Sequence, residues 1–475
     1  MTTRYLAVVF SDLERHSLAW ARVPRDRMVA AIAEYRYLAE SLAGQYGSLY
    51  HEWAGDGHMF LFESVETAVQ FALGLIAEWQ QRFQPAGRDT GFPGLPLRLG
   101  CHFGECTRMD RAEGWIGRAN AVAKRVESEA GPDSLYVTEN VLDLIDLPLY
   151  TFEEVGSFAL KGDHLRQRTL FSITAFDRTA FESRPERELT AEDWFLRALA
   201  LIRTDREDTD EEAECYRQAL RLRPDYEEAH NNLAVLLRSR GEQAEAARHY
   251  QEALRLRPDY AEAHSNYASL LAARGSAAGA AEHFLEALRL RPDFIDAHLG
   301  YANLLAHRGD SAGAAEHYEQ VLALRPDYPE AHSNYAIALE DLGRREQAGA
   351  HYREALRLRP DYSEAHYNFA LLLEEEGQTP AAEEHYRRAV ELWPDYAEAQ
   401  NNLGALLHLS GRLAEAEPHY RRALELRPED PETHYNLGLL LRATGDAAGA
   451  ERHFRAAREL SSDEPVPRSE IRPPA

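Results

Sequence analysis

The sequence predicts an α+β domain followed by an all-α solenoid within one chain of 475 residues. Two observations carry that expectation. Prolines recur 34 residues apart at Pro224, Pro258, Pro292, Pro326, Pro360, Pro394 and Pro428, the period of a two-helix repeat. Ahead of them, strand-like and helix-like segments alternate without any such period. A composition of 44% hydrophobic and 28% charged residues fits folded protein, and the length calls for two or more units.

In chain order, RYLAVVFSD reads as a strand, Val23 to Gln45 as a helix, and SLYHEWAGDGHMFLF as a hairpin. Ser64 to Arg82 reads as a second helix, LPLRLGCHFGE as a strand, and Gly117 to Ala130 as a third helix. SLYVTE and then YTFEEVGSFALKGDHLRQRTLFSI supply closing strands. This order predicts a ferredoxin-like sheet with helices on one face, over residues 1–176. Residues 177–189 form a charged linker, 190–461 about eight repeats, and 462–475, rich in Pro and charge, a disordered tail.

Each repeat carries its own stop and turn signals. In one unit, helix A runs from about Glu227 to Arg240, Gly241 allows the tight turn, and Pro258 ends helix B. Ala246 and Ala253 let the helices approach, and Tyr250 fills the gap between them. The same slots hold Gly275, Ala280 and Phe284; Gly309, Ala314 and Tyr318; Gly343, Ala348 and Tyr352. Asp225/Glu228, Asp259/Glu262, Asp327/Glu330 and Asp361/Glu364 have the spacing of a capping box at the start of helix A. Arg255 and Arg257 suit the negative end of the helix B dipole. The period and these positions resemble the tetratricopeptide repeat, which implies neighbours stacked into a superhelix with a protein-binding groove.

Two ladders run through the repeats. Asn occupies one helix A position at Asn232, Asn266, Asn334, Asn368, Asn402 and Asn436, with Gly300 as the exception. Such amides can hydrogen-bond an extended peptide backbone, similar to the ladder of O-linked N-acetylglucosamine transferases, or can serve local packing. His230, His264, His298, His332, His366 and His434 form the second ladder, interrupted by Gln400. Ligand nitrogens must lie ~2 Å from a shared metal, so units one helix pair apart point to packing. The Tyr series at Tyr226, Tyr260, Tyr328, Tyr362 and Tyr396 reads the same way.

A formal net charge of −26 disfavours nucleic acid and anionic membranes. Three cysteines, Cys101, Cys106 and Cys215, supply neither a disulfide framework nor zinc spacing. No stretch approaches the ~20 apolar residues of a membrane span, and the expected location is the cytoplasm.

The first 176 residues carry a second resemblance. FSDLERHSLAW, WAGDGHMFLF, LRLGCHFGE, GRANAVAKRVES, VTENV and FALKG follow in the order found in class III adenylate and guanylate cyclases. The resemblance covers Tyr5 to Ile173. It implies that Asp12 and Asp56 hold two Mg²⁺ or Mn²⁺ ions, which activate the ribose 3′-hydroxyl of ATP or GTP and clamp the triphosphate. It places the backbone from Leu13 near the phosphates, although Arg15 and His16 replace the usual small residues. Arg125 matches the transition-state arginine. That arginine's usual asparagine companion falls on Ala121, with Asn120 one place away, about 100° around a helix. Lys161 lies in a loop that is basic in relatives. Glu52 matches the guanine-reading acid of guanylate cyclases, whereas the second base-reading position is Gly114. Family members pair two chains, which implies a homodimer. The sequence thus supports an active cyclase regulated through the repeats, a silent cyclase-like module on a scaffold, or a peptide-binding adaptor.

Overall fold

The computed structural model describes residues 2–13, 25–54, 57–83, 96–109, 114–116, 118–158, 167–177, 189–202 and 209–461. Arg15, His16, Asp56, Lys161, most of the linker and the tail lie outside these residues. Two compact units form: Met1–Leu304 with Leu324–Pro326, and Leu305–Ala323 with Asp327–Ala475.

The first unit begins with an eight-stranded sheet. Its strands are β1 (Thr2–Leu13), β2 (Tyr50–Ala54), β3 (Gly57–Phe62), β4 (Leu97–Met109), β5 (Gly114–Ile116), β6 (Ser134–Thr138), β7 (Tyr150–Phe158) and β8 (Arg168–Phe176). They lie in the order β2-β3-β1-β4-β6-β8-β7, with β5 paired to β4. Among the described strands only β4 and β6 run parallel, and the helix α3 (Arg118–Glu129) lies between them in sequence.

Helices cover both faces of this sheet, which corrects the one-face expectation. The cause is visible in β1. Ala7 and Val9 pack with α1 (Arg25–Gln45) and α2 (Val65–Phe83), whereas Leu6, Val8 and Phe10 pack with Ala119 and Ala123 of α3. A strand apolar on both sides needs a cover on both. Gly100 shows how close α3 comes: a Cβ there would lie 2.1 Å from the Glu127 nitrogen and 2.6 Å from the Ala123 carbonyl oxygen. Helix backbone cannot yield as a side chain can. Gly100→Ala should therefore destabilise the first unit by about 3 kcal/mol, measured as an earlier denaturant midpoint. An unchanged midpoint would show that α3 can shift off the sheet.

Helix pairs follow, such as Glu227–Ser239 with Gln243–Leu256 and Ser363–Glu375 with Thr379–Leu392. Gly241, Gly275, Gly309, Gly343, Gly377 and Gly411 take φ between +72° and +79° at the turns, a region that favours glycine. Tyr250, Tyr318, Tyr352, Tyr386 and Tyr420 are fully or almost fully buried between helices.

The predicted capping boxes do not form. Tyr226, Tyr260, Tyr328 and Tyr362 are the N-cap residues and make no side-chain cap bond, so each Asp stands one residue too early. Glu228, Glu262 and Glu330 instead bind Arg257, Arg291 and Arg359 at 2.9, 2.8 and 2.7 Å. Those arginines also lie over the rings of Tyr260, Phe294 and Tyr362 at 3.5, 3.4 and 3.7 Å. The acid and the arginine therefore tie one repeat to the next. A side-chain cap does form at Asp430, which accepts from the Thr433 backbone N–H, and at Asp446, which accepts from Gly449.

Within the first unit, α1 packs against the early repeats. The Gln45 carbonyl accepts a hydrogen bond from Asn232 Nδ2 at 2.9 Å. Gly47, at φ +69°, leaves the space that Glu228 fills, since a Cβ there would lie 2.0 Å from Glu228 Cγ. Arg36 pairs with Asp293, and Arg325 with Glu34 at 3.0 Å.

Candidate active site

Asp12 lies near the end of β1, its backbone paired with Arg98 of β4 and Gly57 of β3. The residue is only 8% exposed. Its Oδ2 accepts from Arg98 Nη2 at 3.1 Å, while Oδ1 is buried without a hydrogen-bond partner among the described residues. A buried anionic oxygen left without a donor is costly, and a hard cation would satisfy it. The donor chemistry at Asp12 therefore fits a divalent ion. Leu13 is buried beside it.

A charge network that sequence reasoning missed surrounds Asp12. Arg98 Nη2 also lies 3.5 Å from Glu127 Oε1, and Lys124 Nζ lies 3.0 Å from Glu127 Oε2. Burial pushes the Glu127 carboxyl up, against the pull of Lys124 and Arg98, and the charge of Asp12 pushes in the same direction. The available signal was an Arg inside the apolar strand LPLRLG and a Glu on the apolar face of α3.

The other predicted residues are distributed as follows. Asn120 donates from Nδ2 to the Trp115 carbonyl at 2.8 Å, and its Oδ1 accepts from Cys106 Sγ at 3.3 Å. Its amide is thus committed inside the domain, while Ala121 is exposed. Arg125 is half-buried on α3, next in sequence to Lys124. Glu52 is exposed on β2 and accepts from Tyr50 Oη at 2.9 Å. Gly114 begins β5, opposite Met109.

In the repeats, Asn266 and Asn436 donate to Asn231 and Asn401, each at 3.2 Å, and Asn402 donates to Tyr367 Oη at 3.2 Å. Asn334 and Asn402 also hydrogen-bond the hydroxyls of Tyr318 and Tyr386. The exception at Gly300 now has a cause. The preceding buried ring is Phe284, which has no hydroxyl, and a Cβ on Gly300 would lie 2.6 Å from that ring. Asn368 is half-buried.

The histidine ladder is paired inside each repeat. His230, His264, His332 and His366 face His249, His283, His351 and His385, with Nδ1–Nδ1 distances of 2.8 Å. Nε2 of His230, His264 and His366 lies 3.0, 3.1 and 3.2 Å from the carbonyl oxygens of Pro224, Pro258 and Pro360. A carbonyl only accepts, so Nε2 carries the proton and Nδ1 accepts from the second His. Gln400 confirms the assignment: its Nε2 donates to the Pro394 carbonyl at 3.0 Å and its Oε1 accepts from His419 Nδ1 at 2.7 Å. These histidines serve packing.

Comparison with known families agrees with this architecture. Residues 2–174 match the family described as "Adenylate and Guanylate cyclase catalytic domain". A cyclase-type catalytic domain precedes tetratricopeptide repeats. The repeats match as "Tetratricopeptide repeat" over 327–395, 361–429 and 410–465, and as "TPR repeat" over 234–275 and 302–343. Among solved structures, the adenylyl cyclase CyaB from P. aeruginosa is 21% identical, covering 38% of this chain and 98% of that chain at TM-score 0.33. YrrB, titled a TPR protein with an unusual peptide-binding site, is 21% identical, covering 39% and 96% at TM-score 0.35. MamA from Desulfovibrio magneticus RS-1 is 24% identical, covering 36% and 97% at TM-score 0.33. No curated protein matches the chain. Among the described residues, no helix is long and apolar enough to cross a membrane.

Proposed function

We propose that the protein is a cytoplasmic nucleotide cyclase that converts a purine nucleoside triphosphate to its 3′,5′-cyclic monophosphate and pyrophosphate, with repeats that bind protein partners. The observation that carries this reading is the buried Asp12 carboxylate with its orphaned Oδ1, inside a domain of the cyclase family. Asp12 and Asp56 would hold two Mg²⁺ or Mn²⁺ ions. Bound there, the ions would supply Lewis-acid activation of the 3′-hydroxyl and charge neutralisation on the phosphates.

The chain's own residues do the rest. Arg98 holds one Asp12 oxygen, and the other has no hydrogen-bond partner among the described residues. The Leu13 backbone and, by its place in the motif, Lys161 are assigned to the triphosphate, and Arg125, in a homodimer, offers a guanidinium to the charge that develops on the transferring phosphorus. Glu52 reads the base. A carboxylate accepts from guanine N1–H and the 2-amino group but meets an unprotonated N1 in adenine, which favours GTP; Gly114 adds no side chain. Glu52→Lys is accordingly expected to reverse the kcat/KM preference from GTP to ATP by about tenfold or more, taking one charged hydrogen bond at about 1.5 kcal/mol. An unchanged preference would remove Glu52 from base selection.

Asn120 favours a second reading. Its amide is tied to Trp115 and Cys106 instead of being free for a ribose. A silent cyclase-like module on a repeat scaffold would look this way. The deciding assay is purified dimer with Mn²⁺ or Mg²⁺ and ATP or GTP, followed for cyclic nucleotide and pyrophosphate. Product formation establishes the cyclase; its absence in a confirmed dimer, with repeat partners supplied, establishes the silent module. The Asn ladder at Asn232, Asn266, Asn334, Asn368, Asn402 and Asn436 is the candidate peptide-binding row. Support for this reading comes from Asn232, which donates to a backbone carbonyl of α1.

A further inference from the structure

Where the early repeats meet the sheet, one side-chain chain has a fixed direction. Arg291 Nη1 lies 2.6 Å from His51 Nε2, and His51 Nδ1 lies 3.1 Å from His58 Nε2. A guanidinium only donates, so His51 Nε2 must carry the lone pair. The His51 proton then sits on Nδ1 and is donated to His58 Nε2. The His58 proton is left on Nδ1, buried and without a partner. His58 also touches the candidate catalytic edge, because its carbonyl accepts from Ser11 Oγ at 3.3 Å. Ser11 precedes Asp12, and Asp12 pairs with Gly57, next to His58.

The competing reading is a metal site, since Glu40, His51 and His58 present ligand atoms within 4.8 Å of one another. Two guanidiniums oppose it. Arg36 Nε donates to Glu40 at 3.0 Å, and Arg291 claims His51. A cation there would face both charges, and His51 Nδ1 has no lone pair while Arg291 holds Nε2.

We infer that Arg291 is a positioning residue: through His51 and His58, whose Nδ1 ends the chain, it fixes the β1–β3 edge that presents Asp12. The repeats thereby set the metal affinity of the catalytic domain. This rests on the metal reading of Asp12 given above. Arg291 is also reachable, because a cavity of ≈ 360 Å³ lined in part by Glu40, Asn232, Glu262, Asn266 and Arg291 opens beside the contact. A ligand entering that cavity competes with His51 for the guanidinium.

The test is Mn²⁺ binding to the full-length protein without nucleotide, read by calorimetry and by electron paramagnetic resonance of free Mn²⁺. His51→Leu should weaken binding about tenfold, as outer-shell partners of metal ligands do. Arg291→Met, combined with Glu262→Gln so that Glu262 is not left a carboxylate without its partner, and with Glu40 keeping Arg36 at 3.0 Å, should match it. His51→Gln should restore wild-type affinity, because an amide can accept from Arg291 and donate to His58, as Gln400 accepts and donates in place of a His elsewhere in this chain. Melting curves identify any variant that fails to fold, in which case His51→Leu against His51→Gln decides. Wild-type affinity in His51→Leu, with binding lost in Asp12→Asn, would overturn the positioning role and leave the metal reading intact. Absence of Mn²⁺ binding by the wild type would overturn both.

Discussion

Asp12→Asn is expected to lower cyclic nucleotide formation about a thousandfold, equivalent to about 4 kcal/mol of lost transition-state stabilisation. The substitution removes the anionic ligand and preserves the shape of the side chain. Hard divalent ions demand anionic oxygen, and an amide oxygen replaces it poorly. The fold should survive, because Arg98 keeps Glu127 as a second partner at 3.5 Å. The buried Oδ1 that lacks a hydrogen-bond partner is also no longer charged. The check is paired: product and pyrophosphate from equal concentrations of folded dimer, and melting temperatures within a few degrees of wild type. Asp56→Ala should give the same loss. Activity within tenfold of wild type in Asp12→Asn would show that the orphaned oxygen has no catalytic use.

Much of this fold was legible because periodicity is a local signal. The 34-residue spacing located the helix pairs, and the short continuous apolar run in RYLAVVFSD located β1. What escaped were contacts between elements far apart in sequence. Nothing in the helical pattern around Glu34, Arg36 and Glu40 on α1 points to their partners, yet they meet Arg325, Asp293 and the surroundings of Arg291. Glu228 reads as a cap because it stands three residues after Asp225, and only the fold shows Arg257 waiting for it. Similarly, Asp12 was legible from its motif, whereas Arg98 and Glu127 were hidden among apolar neighbours whose period they do not disturb. The histidine ladder was half legible: the helix A series stood out, but its partners nineteen residues on went unread.

Those histidine pairs make the repeats acid-sensitive. In each, one neutral imidazole accepts from the other, so a proton added to the accepting Nδ1 sets two N–H groups against each other at 2.8 Å. Burial lowers His249 and His351 to about 4, with the partner histidine's charge adding to the effect. Burial likewise lowers His230, His264, His283, His366 and His385. These folded values lie below the unfolded value near 6.5. The unfolded chain therefore binds more protons between about pH 6.5 and 4, and stability present above that window is lost as pH falls through it. Each excess proton costs ~1.4 kcal/mol per pH unit, so the melting midpoint should fall by about ten degrees or more between pH 7 and pH 5. Carboxylates contribute to any acid transition, and a glutamine series separates the two. Changing His230, His264 and His366 to Gln should leave the midpoint at pH 7 nearly unchanged, because Gln400 makes both bonds of that position. The drop on acidification from these pairs should then shrink by about half, since one titrating group per pair and its repulsion are gone. Leucine at the same positions should instead destabilise at pH 7 by about 1–3 kcal/mol each, leaving the Pro carbonyl and the second imidazole unpaired. A glutamine series with the wild-type pH profile would assign the acid sensitivity to carboxylates and remove it from the histidine pairs.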